Sequence, residues 1–436
     1  MTGVVRDYAW GSRTALPALL GLPADGGPQA ELWLGAHPGA PARAGDEPLD
    51  ALVARDAAGV LGPRVRGRFG DRLPYLLKAL AADAPLSLQV HPSEEQARAG
   101  FAREDEAGLA VDAPDRSYKD PHHKPEMLVA LTPFEALCGF REPHVAVAAL
   151  RRLHVPEAAH LVELLSGPDA ETSLRDALSY LLSGSEEVAA LVEAVAAACA
   201  DEPLDEPDPD DDPDDDAGWA PEASAPGGAG AASVRGGEGL AGDERPPEDV
   251  EAGAGDPDRR TVAELSAHHP GDPGVLVALL LHRVRLEPGE AVWLPAGNVH
   301  AYLSGVGVEL MAASDNVLRG GLTTKHVDVA ELQRVVDTRP LPVPQVQPRT
   351  PAEGVQVWRP GPDELELWCL RPTGDDALGG PADGPRVVLC STGEVDLRTS
   401  SGALHLARGG AALVRDDDGP LRVTGEGTAW VAAVPA

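Results

Sequence analysis

The stretch Gly289-Glu-Ala-Val-Trp-Leu-Pro-Ala-Gly-Asn-Val-His300 decides the fold. Its apolar residues read as a strand, Pro295-Ala-Gly297 as a tight turn, and the residues after the turn as a returning strand that brings the imidazole of His300 to the mouth of a β structure. With a further turn at Glu287-Pro-Gly-Glu290, all of Val275 to Val308 reads as strand, turn, strand, turn, strand. The same character extends outward. Leu73 to Val90 and Met127 to Phe140 hold short apolar runs among Pro and Gly. Near the C-terminus, ELELWCLRP (364–372), RVVLC (386–390), EVDLRT (394–399), AALVRD (411–416) and TAWVAAVP (428–435) are spaced by Gly, Asp and Ser. Many short strands with regular turns predict a sandwich or barrel.

The spacing Gly289, five residues, Pro-x-Gly, two residues, His300 resembles the second motif of the cupin family, and implies jelly-roll barrels. Between the β regions the pattern changes. From Glu142 to Ala200 apolar residues recur at three and four in VAVAALRRLH, AAHLVELLSG and EEVAALVEAVAAAC, which predicts helices. The expected fold is therefore mainly β with a helical insertion: cupin-type jelly-roll barrels, one catalytic and one C-terminal, plus a small α-helical domain. The expected layout has 1–140 and 271–345 as two parts of the catalytic domain, 141–270 as the helical domain and 346–436 as the C-terminal β domain. A length of 436 residues suits such a division, since domains run roughly 100 to 200 residues.

Charge and cysteine usage narrow the class. The formal charge of −34 argues against nucleic acid or an anionic membrane as partner. Of this, −18 falls in Asp201 to Asp258, where 20 acidic residues face 2 basic ones among Pro and Gly, leaving −16 for the other 378. That composition cannot offset ordering entropy, so the tract reads as a disordered insertion in the helical domain whose removal leaves turnover unchanged. Cys138, Cys199, Cys369 and Cys390 form no CxxC pair, the opening MTGVVRDYAW lacks a signal-peptide pattern, and no apolar run approaches the ~20 residues of a membrane span. A soluble, cytoplasmic, monomeric protein is expected.

Metal-donor residues recur at telling positions. Gln89 and His91 in Ser87-Leu-Gln-Val-His-Pro92 lie two apart in a predicted strand and so share a face. Glu126 closes the polar run Asp120-Pro-His-His-Lys-Pro-Glu126 at the head of another strand. With His300 they offer two nitrogens and two oxygens and no thiolate, a set that suits zinc, while manganese or iron(II) fits the donor types as well. A lone strand histidine is more often structural; the co-occurrence with further motifs decides otherwise.

Those motifs are Gly305-Val-Gly-Val-Glu-Leu-Met-Ala-Ala-Ser-Asp-Asn-Val-Leu-Arg-Gly-Gly321 and Thr323-Thr-Lys-His-Val-Asp328. Together with Tyr8-Ala-Trp-Gly11, Ala30-Glu-Leu-Trp-Leu-Gly-Ala-His-Pro38, Leu76-Leu-Lys-Ala-Leu80, Gln89-Val-His-Pro92 and His123-Lys-Pro-Glu-Met127, the chain resembles the type I mannose-6-phosphate isomerases over residues 8 to about 330. These are zinc-dependent enzymes that interconvert mannose 6-phosphate and fructose 6-phosphate. The resemblance implies one Zn2+ per chain on Gln89, His91, Glu126 and His300, and a sugar phosphate as the partner. It implies Arg319 as an active-site residue, with Lys78, His123, Lys124, Tyr302, Glu309 and Asp315 in or near the pocket and Ser87 near the substrate phosphate. One departure stands out: where the family usually writes Asn before the His of this run, the chain has His122 and His123, and position favours His123 as the one facing the site.

Chemically, isomerisation moves a proton between C2 and C1 through a cis-enediol. The base is left open among Glu309, Asp315, Lys124, His123 and a metal-bound hydroxide. Arg319 stays cationic at any working pH and so stabilises charge or holds sugar oxygens rather than abstracting a proton. Two other functions compete: a different metal-dependent cupin enzyme such as an oxygenase, and a non-catalytic sugar-phosphate-binding protein. Trp10, Trp33 and Trp293 read as core, His268-His269-Pro270 as solvent-facing loop, Lys325 and His326 as pocket wall or the start of a helix over Val329 to Val336, and Ser93-Glu-Glu-Gln96 as a capping box.

Overall fold

The computed structural model describes residues 1–200 and 256–436, so most of the acidic tract lies outside the described residues. The fold is mainly β with helices. A ten-stranded sheet and an eight-stranded sheet dominate it. In the first, the long strand His300–Ala312 pairs antiparallel with Tyr75–Ala82, Glu126–Ala130 and Phe134–Phe140, and touches Leu88–Val90 through His300 opposite Gln89. Leu318–Gly321 lies on the other side of Leu88–Val90, with Arg319 opposite Gln89.

Helices Pro143–Arg152, Ala159–Leu165, Ala170–Leu181, Glu186–Cys199 and Pro257–His268 lie in sequence between two strands of that sheet, Phe134–Phe140 and Leu281–Leu286. Side chains close their N-termini: Asp169 accepts from the Thr172 amide and Ser185 from the Val188 amide. Their buried Leu161, Leu174, Leu178, Leu191 and Val262 share one core with Leu88 and Leu318 of the sheet. The helix Glu94–Glu106 opens with the expected capping box of Ser93 and Gln96, and a short helix occupies Val329–Val335.

Three segments differ from the sequence expectation. Val275 to Leu280 is not strand: Gly274–Ala278 is a short helix, and the strand begins at Leu281. An apolar run this short carries no period that separates helix from strand. Near the C-terminus, RVVLC and EVDLRT are not two strands about a turn but one strand, Arg386–Thr399, irregular between Cys390 and Thr392. Gly393 sits there at φ 60, where an added Cβ would lie 2.0 Å from Glu426 O, so the glycine that reads as a turn serves a bulge. Finally, residues 256–258 of the acidic tract are ordered. Asp256 caps the helix Pro257–His268 and pairs with Arg152, while Asp258 bonds Arg141 and Arg152, each at 2.8 Å.

The helices Leu49–Arg55 and Ala57–Phe69, which the β-oriented reading passes over, fill the space between the two sheets. Their Leu49, Val60, Leu61 and Val65 share a core with Leu77 of the first sheet and Trp358, Leu367 and Trp430 of the second.

The described end of the tract, residues 256–258, makes ion pairs that the rest of the tract can be tested against. Deleting 201–255 should leave turnover unchanged at physiological salt. Extending the deletion through Asp258, or making Asp258→Ala, removes partners of the half-buried Arg141 and lowers stability by roughly 1–3 kcal/mol. Chemical denaturation and a turnover assay check the pair; equal stability of the two deletions would refute it.

Candidate metal centre and the cavity around it

The register of His300–Ala312 gathers the donors. His91, Glu126 and His300 are all buried, and one ligand atom from each lies within 4.8 Å of the others. His91 Nδ1 is 2.9 Å from Asn316 O, and His300 Nδ1 is 3.0 Å from Asn298 O. A ring proton on each Nδ1 turns the Nε2 atoms toward the cluster as the nitrogens that would ligate a metal. They face one oxygen, Glu126 Oε2, at 3.3 and 3.4 Å. His91 Nε2 is sealed from solvent and has no hydrogen-bond partner. Burial pushes the His91 pKa down to about 4, so the ring is neutral at pH 7. Two imidazole nitrogens and a carboxylate oxygen that converge in the interior are the donor set of a divalent cation, so the residues fit such a metal. Gln89, paired in register with both His300 and Arg319, lines the same cavity.

Charged side chains surround the cluster. Lys124 Nζ lies 2.9 Å from Glu126 Oε1. Burial resists the charge on Glu126, yet Lys124 and His91 hold its pKa well below the usual carboxylate range. Lys78 is buried between Glu309 at 2.9 Å and Glu31 at 3.3 Å. Burial alone would discharge this lysine, but the carboxylates of Glu309 and Glu31 hold its pKa above the ordinary value. The Tyr302 hydroxyl donates to Glu309 Oε1 at 2.7 Å, and burial followed by that carboxylate raises its pKa.

His300, Tyr302 and Glu309 share one face despite an odd separation between Tyr302 and Glu309, which strict alternation would put on opposite faces. The pairing slips between Tyr302 and Ser304. Gly305 comes next at φ 114, and an added Cβ there would lie 2.6 Å from Pro133 O. The slip turns Glu309 inward.

These groups line a cavity of about 820 Å³ together with Ser87, Asp315 and Arg319. Asp315 accepts from His37 at 3.3 Å, since His37 Nδ1 is taken by the Gly39 amide. Burial opposes ionisation of Asp315, but His37 and the charges of Lys124 and Lys78 hold its pKa below the ordinary aspartate value. Arg319 has no carboxylate partner among the described residues, and burial lowers its pKa somewhat. Beside it stands Lys325, lowered by burial and then by the Arg319 charge.

Several expectations need correction. His123 does not reach this cavity: its Nε2 is 2.9 Å from Glu364 Oε1, and with His122 it lines a separate cavity. Asn316 Nδ2 donates to the carbonyls of Asp120 and His122, each at 2.7 Å, and fixes the backbone that sends both imidazoles away from the metal cluster. Trp10 and Trp33 border this cavity as well as the core, with the Trp33 indole donating to Glu31 and stacking under Lys78. His268 is exposed as expected, but it ends the helix Pro257–His268 instead of lying in a loop, and with the half-buried His269 it borders the open side of the cavity. The sequence offers no local signal for Glu31, His37 or Asn316 as supports, because their partners are remote in sequence.

A mainly β fold with imidazoles and a carboxylate converging in a polar cavity defines a metal-binding β protein of enzyme type. A family model described as phosphomannose isomerase type I, catalytic domain, matches residues 1–143. The mannose-6-phosphate isomerase of Escherichia coli (strain K12) is 34% identical over 431 residues, covering 97% of this chain and 96% of its own length. That of Rattus norvegicus is 32% identical over 357 residues, covering 78% of this chain and 73% of its own length. A crystal structure of the Salmonella typhimurium enzyme bound to substrate (f6p) and zinc aligns with a TM-score of 0.80 at 31% identity, over 100% of this chain and 98% of that one. The chain belongs to the type I mannose-6-phosphate isomerase family.

Adding zinc to metal-free protein should therefore raise its thermal midpoint, by the equivalent of about 2.7 kcal/mol at a hundred times Kd. His91→Ala should abolish the shift. An unchanged shift in that variant would place the metal elsewhere.

Proposed function

We propose that this chain interconverts mannose 6-phosphate and fructose 6-phosphate as a zinc-dependent aldose–ketose isomerase. The carrying observation is the convergence of His91 and His300 ring nitrogens on Glu126 beside a cavity that also holds Arg319 without a carboxylate partner among the described residues. Gln89, His91, Glu126 and His300 would hold the zinc. When bound, zinc supplies Lewis-acid stabilisation of charge on the C1 and C2 oxygens.

The chain's own groups divide the remaining work. Arg319, opposite Gln89, stands where a fixed cation lowers the energy of an enediolate. Lys325 and Ser87 are left for the phosphate, since Lys325 neighbours Arg319 and has no carboxylate partner among the described residues. Of the carboxylates weighed as base, Glu309 has its oxygens engaged by Tyr302 and Lys78, which suits a holding role. Asp315, with 44% of its side chain exposed, is the ionised carboxylate open to the cavity and fits the proton transfer between C1 and C2. Lys124 steadies Glu126. Lys78 and Tyr302 set the electrostatics beneath the sugar.

Several further readings accompany this one. We read both sheets as cupin-type jelly rolls, on the motif at 289–300, with the layout 1–140 plus 271–345, 141–270 and 346–436. We also read the protein as a monomer. Four buried free cysteines suit a reducing cytoplasm. No described helix is long and apolar enough to cross a membrane.

A coupled assay before and after chelation tests the function: turnover of mannose 6-phosphate should vanish on chelation and return with zinc. Arg319→Ala should bind zinc normally yet lose about 2.7–4 kcal/mol of transition-state stabilisation, the loss of a single charge-stabilising donor. Zinc-independent turnover, or a fully active Arg319→Ala protein, would reject this scheme.

A further inference from the structure

The two histidines that miss the metal cluster lie in a second cavity of about 530 Å³, walled by Arg68, Phe69, Arg72 and Glu94 on one side and Gly361–Glu364 on the other. Its carboxylates are occupied. Glu364 holds His123 Nε2 at 2.9 Å, Glu94 accepts from the His123 amide at 2.9 Å and from Arg98 at 2.6 Å, and Asp363 pairs with Arg68. Two polar atoms are not. Arg72 Nη1 and His122 Nδ1 are both shut off from solvent with no hydrogen-bond partner, and His122 Nδ1 is 3.8 Å from the nearest Glu94 oxygen. Burial of an unpaired guanidinium nitrogen is unfavourable unless something that accepts hydrogen bonds arrives.

We propose that this cavity is a second anion site, built for a small phosphomonoester held by Arg72 and His122. Both atoms are closed off as the side chains stand, so binding turns Arg72 and His122 toward the cavity, where one ligand oxygen accepts from Arg72 Nη1 and another from His122 once its proton sits on Nδ1. Arg68 and Arg98 supply the rest by exchange: their present pairs are exposed, with Asp363 at 72% and Arg98 at 68%, and exposed pairs hold weakly. Guanidinium groups match phosphate geometry bidentately. The volume and the apolar face of Phe69 suit a metabolite with a carbon skeleton rather than a bare ion. The site is distinct from the isomerase cavity but shares its wall, because His122 and His123 run directly into Lys124 and Glu126. It also touches both sheets' units, through Arg72 and through Gly361–Glu364.

The proposal does not rest on the isomerase reading, and titration calorimetry of the zinc-loaded protein tests it with 3-phosphoglycerate and, separately, inorganic phosphate. The phosphomonoester should bind more tightly than phosphate. Its affinity should fall at least about ten-fold in Arg72→Gln and in His122→Asn, the scale of one charge-assisted hydrogen bond, and persist in Arg319→Ala. Arg72→Gln and His122→Asn should retain turnover, since neither lines the isomerase cavity. Should Arg72→Gln fail to fold, the milder His122→Asn decides alone. Binding lost in Arg319→Ala but kept in the other two would put the anion in the isomerase cavity and overturn the proposal. Phosphate binding as tightly as the phosphomonoester, marking an adventitious ion only, would overturn it too, as would no binding at millimolar ligand.

Discussion

The position of one strand relative to its neighbours sets how the metal donors and the buried charges of this protein meet. His300–Ala312 carries His300, Tyr302 and Glu309, and its registers set His300 against Gln89, Glu309 against Lys78 and Met311 against Glu126. A one-residue slip on any of these pairs would turn a ligand or a counter-charge to the opposite face. Register is held by burial on both sides: Val308 and Leu310 are fully buried, as are Leu77 and Val129 on the strands that flank them. Hydrophobic packing thus fixes polar chemistry.

Fixing charges inside the protein is costly, and the arrangement shows how the cost is contained. Glu31, Glu126 and Glu309 are buried alongside Lys78 and Lys124. Removing one partner from such a set leaves an uncompensated buried charge, which costs more than the pair contributes. Among the described residues of the cavity lining, six basic ones (Arg6, Lys78, Lys119, Lys124, Arg319, Lys325) face four acidic ones (Glu31, Glu126, Glu309, Asp315). The lining is therefore net positive before any metal is added, although the chain as a whole carries −34. An anionic sugar feels the nearby cations, because distant surface charge is screened within about 8 Å at physiological salt.

How far the amino acids alone reveal the site depends on the range of the interactions that build it. The Pro295-Ala-Gly297 turn and the Gln89/His91 spacing are local, and they lead to His300 and Gln89 on the cavity wall and to His91 in the buried cluster with Glu126 and His300. Glu126 is legible from its place at a strand head. Glu309 is placed near the pocket only through family likeness, since the slip at Tyr302 that turns it inward has a single local sign, Gly305. His123 escapes a local reading because its direction is set by Asn316, almost two hundred residues later. Val275 to Leu280 escapes it because an apolar run of that length is equally consistent with a buried strand and a buried helical turn. Long-range supports such as His37 for Asp315 leave no trace in the local pattern at all.

Among the described residues the C-terminal sheet contributes no side chain to the isomerase cavity, yet it is not a passive appendage. The Tyr75 hydroxyl shares its one proton between Pro385 O at 2.8 Å and Ala432 O at 3.0 Å, tying the first residue of the strand that bears Lys78 to the C-terminal unit. Leu77, next to Lys78, shares its core with Trp358, Leu367 and Trp430 across the helices Leu49–Arg55 and Ala57–Phe69. Alternate residues of Tyr75–Ala82 thus face two ways: Tyr75, Leu77 and Ala79 toward the second sheet, Lys78 and Leu80 toward the cavity. Loosening the interface between sheets would loosen the strand that positions the buried lysine, and with it the charge balance that keeps Glu309 and Glu31 tolerable in the interior. A sheet with no catalytic group is retained in the physics of the site as the floor on which that strand is laid.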